Sequence, residues 1–124
     1  MINTMDVWLV GLGGIVGTLC RVFLGKWIAG HVKGSFPWWT WVINLTGSLL
    51  LGILFALHNR ELLSDEAWLM LGIGFCGAYT TFSTFGYEMQ QLIEKKHVIA
   101  AAMYMLSSIS LGVLLAWSGI VIIS

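Results

Sequence analysis

Apolar residues fill four long stretches of the chain, and the charged residues gather between them. The stretches run approximately over residues 7–25, 38–57, 67–93 and 98–123. A helix that crosses a bilayer needs about 20 predominantly apolar residues, and each stretch reaches that length. The pattern predicts an all-α membrane protein with four transmembrane helices, a single transmembrane domain over residues 1–124. The connections, Lys26 to Pro37, His58 to Glu66 and Glu94 to His97, are too short to fold as a soluble domain. Gly30, Gly34 and Pro37 supply turn signals in the first of them.

The four stretches are not alike. The first carries Gly13 and Gly17 at the four-residue spacing that lets helix backbones approach closely. That approach is made either within one subunit or between subunits. The second places Thr40, Asn44 and Ser48 at intervals of four, on one helical face. An Asn at membrane depth is costly unless it is bonded. It serves either as an interhelical hydrogen bond or, with its hydroxyl neighbours, as part of a lined path. The fourth stretch repeats the pattern with Tyr104 and Ser108, and Ser107 beside them.

The third stretch is the most informative. From Gly72 to Gly86 it mixes glycines with a polar run, Tyr79-Thr80-Thr81-Phe82-Ser83-Thr84. Glycine and hydroxyl residues weaken a helix. A break mid-membrane is expected near 77–84, with two half-helices meeting at Thr80–Thr84. The backbone groups it frees must find protein, water or ions, and transport proteins use such breaks to aim backbone groups at ions. The competing reading is a continuous helix packed through its small residues.

Composition sharpens the membrane reading. The chain is 58% hydrophobic and 10% charged, where soluble domains carry about 25% charged residues. Exposing so much apolar surface to water costs about 25 cal/mol per Å². The net charge is zero, so no basic arm points to nucleic acid. Cys20 and Cys76 fall inside spans and read as small packing residues. Trp8, Trp27, Trp38, Trp39, Trp41 and Trp68 lie near span ends, as an aromatic belt does. Lys26, Lys33, Lys95 and Lys96 share one face against Arg60 on the other, a bias that predicts lysine loops in the cytoplasm and both termini outside. The N-terminus carries Asp6 in place of the basic region of a signal peptide, and is read as a retained first helix.

Candidate chemistry is sparse. Phe82 and Phe85 share a face if the chain is helical there, and their ring edges are positive. They either touch a partly dehydrated anion or pack as core residues. Glu88 follows on the same side, lining a path mouth or facing headgroups. Arg21 either snorkels to the interface or draws anions into a vestibule. His31, His58 and His97 lie in separate loops without ligand spacing. No paired carboxylates, nucleophile triad or phosphate loop is present, so an enzyme is not expected. Four helices of this size hardly enclose a water-filled path, so function calls for an oligomer.

The run Gly77-Ala78-Tyr79-Thr80-Thr81-Phe82-Ser83-Thr84-Phe85 closely resembles the signature of the bacterial fluoride channels, the CrcB or Fluc family. Gly13-Gly14 through Gly17 to Arg21 resembles that family's first-helix pattern, and Asn44-Leu45 followed by Gly47 its second. Glu88, Tyr104 and Ser108 fall where the family has matching residues. Gly112 departs from it, standing where some members carry another hydroxyl.

The resemblance implies an antiparallel, dual-topology dimer in the bacterial cytoplasmic (inner) membrane. It implies two pores that let fluoride leave the cell passively. A homodimer is the first expectation, and a paired heterodimer the alternative raised by the lysine bias. By matching position, Asn44 donates a hydrogen bond to the ion, and Phe82 and Phe85 line the paths with their ring edges. Ser83, Thr84, Tyr104, Ser108 and Glu88 form a polar side, with Thr40 and Arg21 toward a vestibule. The backbone carbonyls of Gly77 and Thr80 from both subunits hold one structural sodium ion. The rival reading is a small multidrug-resistance-type transporter, which depends on a carboxylate in its first span. Residues 7–25 contain no Asp or Glu.

Overall fold

The computed structural model describes residues 3–123. Three of its helices are long and apolar enough to cross a membrane. Helix α1 covers Thr4–Ala29, α2 covers Trp38–Asn59, and the last, α5, covers Val98–Ile123. Between α2 and α5 lie two shorter helical pieces. The first, α3, spans 65–79 and is wound loosely, as a π-helix, over Trp68–Cys76. The second, α4, covers Phe82–Glu94. No strand occurs among the described residues.

Local chemistry sets the helix ends. Asn3 caps α1 through a reciprocal pair with Asp6, the two backbone amides and two side chains each bonding at 3.0 Å. Ser64 caps α3 by accepting from the Ala67 amide. At the end of α2, Glu61 takes a left-handed conformation (φ 61°). The Leu62 amide then bonds back to Leu57 and the Glu61 amide to His58. Lys96 (φ 62°) closes α4 in the same way, with His97 bonding to Leu92 and Lys96 to Ile93. The Arg60 guanidinium donates to the Ile123 carbonyl, one of those left open at the end of α5.

Small residues govern how the helices meet. A Cβ on Gly17 would run into the Phe75 backbone, and one on Gly13 into the Met70 carbonyl. In return, a Cβ on Gly74 would lie 2.6 Å from the Val10 carbonyl oxygen. The Gly13–Gly17 spacing therefore serves packing of α1 on α3 within one subunit. Helices α2 and α5 touch through Gly52 against Ala116 and Gly119 against Leu49 and Ile53.

The contacts also fix direction. Trp41 meets Ser107 and Gly52 meets Ala116, so α2 and α5 run parallel. Gly13 meets Met70, Gly17 meets Phe75 and Arg21 meets Ala78, so α1 and α3 run parallel. Gly25 near the end of α1 faces Trp39 near the start of α2, which sets those two antiparallel. Helix α4 meets α5 antiparallel, with Glu88 beside Tyr104 and Leu92 clustered with Ala101. Helix α4 thus resumes the direction of α3.

Much of the surface is apolar. Trp8, Leu12, Ile15, Leu19, Phe23 and Trp27 stand exposed along α1, and Met103, Leu106, Val113 and Trp117 along α5. In a bilayer these side chains face hydrocarbon and carry no exposure penalty.

Candidate functional site

The site is built where α3 gives way to α4. Thr80 (φ −78°, ψ 154°) and Thr81 (φ −142°, ψ 123°) are extended, so the helical ladder stops for two residues. Their polar groups are taken up locally. The Asn44 Nδ2 donates to the Thr81 carbonyl at 3.1 Å, and the Thr81 amide donates to Asn44 Oδ1 at 2.9 Å. The Arg21 Nε donates to the Ala78 carbonyl at 3.0 Å. Thr80 Oγ1 donates to the Cys76 carbonyl at 2.8 Å. Thr81 Oγ1 accepts from the Thr84 amide and donates to Thr84 Oγ1, capping α4.

A cavity of about 290 Å³ opens at this point. Its polar wall holds Asn44, Ser48, Thr80, Thr81 and Ser108, and its apolar wall holds Phe82 and Phe85 among other residues. The two rings lie 6.2 Å apart between centroids. Phe85 leans on Tyr104 at 4.9 Å, whereas Phe82 is 86% exposed. The Ser108 hydroxyl is buried and has no hydrogen-bond partner among the described residues. Asn44 has a second Nδ2 proton beyond the one given to Thr81. Among the described residues, no lysine or arginine lines the cavity.

A second polar cluster lies deeper between α2, α4 and α5. Tyr104, fully buried, donates from its hydroxyl to Glu88 Oε1 at 3.3 Å. Thr40, also 0% exposed, sits beside both groups. Its hydroxyl completes no hydrogen bond of normal geometry among the described residues. Glu88 also reaches a wider cavity of about 320 Å³, lined with Gln91, Lys95, Trp38 and Trp39 at the lysine end of the molecule.

The expected site residues are thus divided. Asn44, Phe82, Phe85 and Ser108 converge on one cavity, while Thr40, Glu88 and Tyr104 form a separate cluster. Thr84 is engaged with Thr81, and Ser83 is exposed. Arg21 lines neither cavity named so far; it lies in another, with Lys26 and Trp39. Gly77 is exposed, with open space where a Cβ would stand. No group of three or more His, Cys, Asp or Glu side chains suited to a metal occurs among the described residues.

Two contributions escaped the sequence reading. Thr81 holds the pivotal backbone and caps α4; its signal was a hydroxyl residue three positions ahead of Thr84 at a helix start. Gly47 makes room for the joint, because a Cβ there would overlap the Thr80 methyl group. Nothing in the sequence names that partner.

Comparison with known proteins places the chain in a family. The profile of the family described as CrcB-like protein, Camphor Resistance (CrcB), matches residues 8–120. A protein of Moorella thermoacetica named fluoride-specific ion channel FluC 2 is 49% identical, over 90% of this chain and 92% of its own. The fluoride-specific ion channel FluC of Thermus thermophilus is 42% identical, over 90% and 87%. That of Oceanobacillus iheyensis is 41% identical, over 93% and 88%. With the match running through all five helices, the chain belongs to the CrcB family.

Proposed function

We propose that this chain is a fluoride-selective ion channel that conducts passively and lets fluoride leave the cytoplasm. The observation that carries the proposal is the cavity at Thr80–Thr81, where the Asn44 amide, the unpartnered Ser108 hydroxyl and two phenylalanine rings face one space. Fluoride is small and holds its water tightly. A path for it must replace that water with compact donors, and amide, hydroxyl and aromatic-edge groups are such donors. A fixed cation would hold the ion too long, since conduction needs sites that also release. The absence of Lys and Arg from the cavity lining supports this. The Thr40, Glu88 and Tyr104 cluster, together with Ser83 and Thr84, extends the polar side, and Arg21 draws anions toward it.

The two pieces α3 and α4 act as one crossing interrupted at membrane depth. Their shared direction and combined extent, 65–94, support that reading. The functional unit is an antiparallel homodimer, because one subunit leaves Phe82 uncovered and its cavity open. A structural sodium ion at the dimer centre fits the chain's own groups. The Ala78 and Thr81 carbonyls are taken by Arg21 and Asn44. No side chain among the described residues claims those of Gly77 and Thr80, at the negative end of α3. These two carbonyls from each subunit would hold it, and it would supply a fixed positive charge that binds the subunits together.

The test is fluoride efflux from liposomes containing purified protein, with chloride as the comparison ion. Fluoride flux well above protein-free liposomes, with little chloride flux, is expected. Fluoride flux equal to that of protein-free liposomes would overturn the proposal.

A further inference from the structure

The hydroxyl groups around the cavity are not equally free to serve an ion. Each hydroxyl has one proton to give. Thr80 gives its proton to the Cys76 carbonyl, and its methyl group is wedged against Gly47, which fixes the rotamer. Thr81 gives its proton to Thr84 while accepting the Thr84 amide, so turning it would uncap α4. Ser48 gives its proton to the Asn44 carbonyl at 2.8 Å, one turn back in its own helix.

The Ser48 bond differs from the other two in what its loss leaves behind. Within α2 the Asn44 carbonyl also accepts the Ser48 backbone amide, the regular helical bond. When the hydroxyl swings away, that carbonyl is still satisfied. Serine has no β-branch to block rotation about χ1, unlike threonine. The space beside it is also open. The facing residue is Gly112, and a Cβ there would stand 3.5 Å from Ser48 Oγ, at ordinary contact.

We propose that Ser48 is a further ion-contacting residue: its hydroxyl parks on the Asn44 carbonyl and turns into the cavity to donate to fluoride beside Ser108 and the second Asn44 proton. The glycine at 112 leaves room for that turn. Ser48 and position 112 then share one hydroxyl site, reachable from either helix. This inference rests on the fluoride-channel reading and deepens it.

The experiment measures unitary fluoride current in planar bilayers, for wild-type protein, Ser48→Ala, and Ser48→Ala combined with Gly112→Ser. Unitary current reports each open path, so a residue that only helps assembly changes the number of active channels and leaves the amplitude alone. Ser48→Ala is expected to lower the amplitude at least threefold, and the added serine at 112 to restore it to within twofold of wild type. A wild-type amplitude in Ser48→Ala would overturn the role of Ser48. An unrestored amplitude in the double variant would overturn the shared site. If Ser48→Ala fails to fold, Ser48→Thr supplies the second measurement. Its β-branch restrains the turn while keeping the hydroxyl, so a lowered amplitude supports the proposal and a wild-type amplitude overturns it. Absence of current in the wild-type protein would instead remove the channel reading itself.

Discussion

Asn44 and Thr81 form a closed pair, with the side-chain amide of one bonded at both ends to the backbone of the other. The amide does for Thr81 what a neighbouring helical turn would do, offering one donor and one acceptor to a backbone that has left its ladder. One side chain thus stabilises the joint between α3 and α4 and, with its remaining proton, faces the cavity. Removing it leaves a backbone amide and a carbonyl unpaired in a part-buried place, at about 1–3 kcal/mol each. Asn44→Ala is therefore expected to lose roughly 2–6 kcal/mol of stability as well as fluoride flux. Thermal unfolding in detergent checks the first effect and liposome flux the second. An unchanged unfolding midpoint would show that the pair does not hold the joint.

Phe82 and Phe85 separate stability from conduction. Phe82 touches little of the rest of the chain, whereas Phe85 packs on Tyr104. Phe82→Ile is expected to leave the fold of the single chain within about 0.5 kcal/mol of wild type. Phe85→Ile is expected to cost about 1 kcal/mol for the lost ring contact. Both should suppress fluoride flux at least tenfold, since an aliphatic side chain has no positive edge to present. Flux at the wild-type level in both variants would show that the rings line nothing.

The long apolar stretches made three membrane-length helices legible, because length and hydropathy decide them locally. The division of the polar residues was not legible. Thr40, Asn44 and Ser48 were expected on one face, yet Thr40 joins Glu88 and Tyr104 while Asn44 and Ser48 line the cavity. Steps of four residues overshoot a helical turn by about 40° each, so Thr40 and Ser48 point roughly 80° apart. Which neighbour each then meets depends on α4 and α5, set by packing far along the chain. The partner of Gly13 and Gly17 was hidden for the same reason: a small residue advertises close approach without naming the helix that approaches.

That packing gives a sharp contrast between glycines of α1. Gly17 faces the Phe75 backbone, with the Phe75 Cα 3.1 Å from an added Cβ, while a Cβ on Gly11 would meet no other described group within 4 Å beyond its chain neighbours and its own helix backbone. Gly17→Val is expected to force α1 and α3 apart and to cost at least about 3 kcal/mol, seen as loss of folded protein on size exclusion in detergent. Gly11→Ala should gain up to about 1 kcal/mol from helix propensity. Folded, conducting Gly17→Val would show that α1 and α3 do not pack as described.

The left-handed residue that ends α4 offers a stabilising change that acts through the backbone. Lys96 holds φ 62° so that His97 and Lys96 can bond back to Leu92 and Ile93. A residue with a Cβ spends about 1–2 kcal/mol in that conformation, and glycine does not. Glycine also loosens the unfolded chain, offsetting roughly 0.4–1 kcal/mol of the relief. The net gain expected for Lys96→Gly is about 0.5–1 kcal/mol, measured as a raised unfolding midpoint with fluoride flux unchanged. The His97 and Lys96 amides keep their acceptors in the variant, so the gain isolates the backbone term. A lowered midpoint would mean that the Lys96 side chain contributes more at the membrane surface than its strained backbone costs.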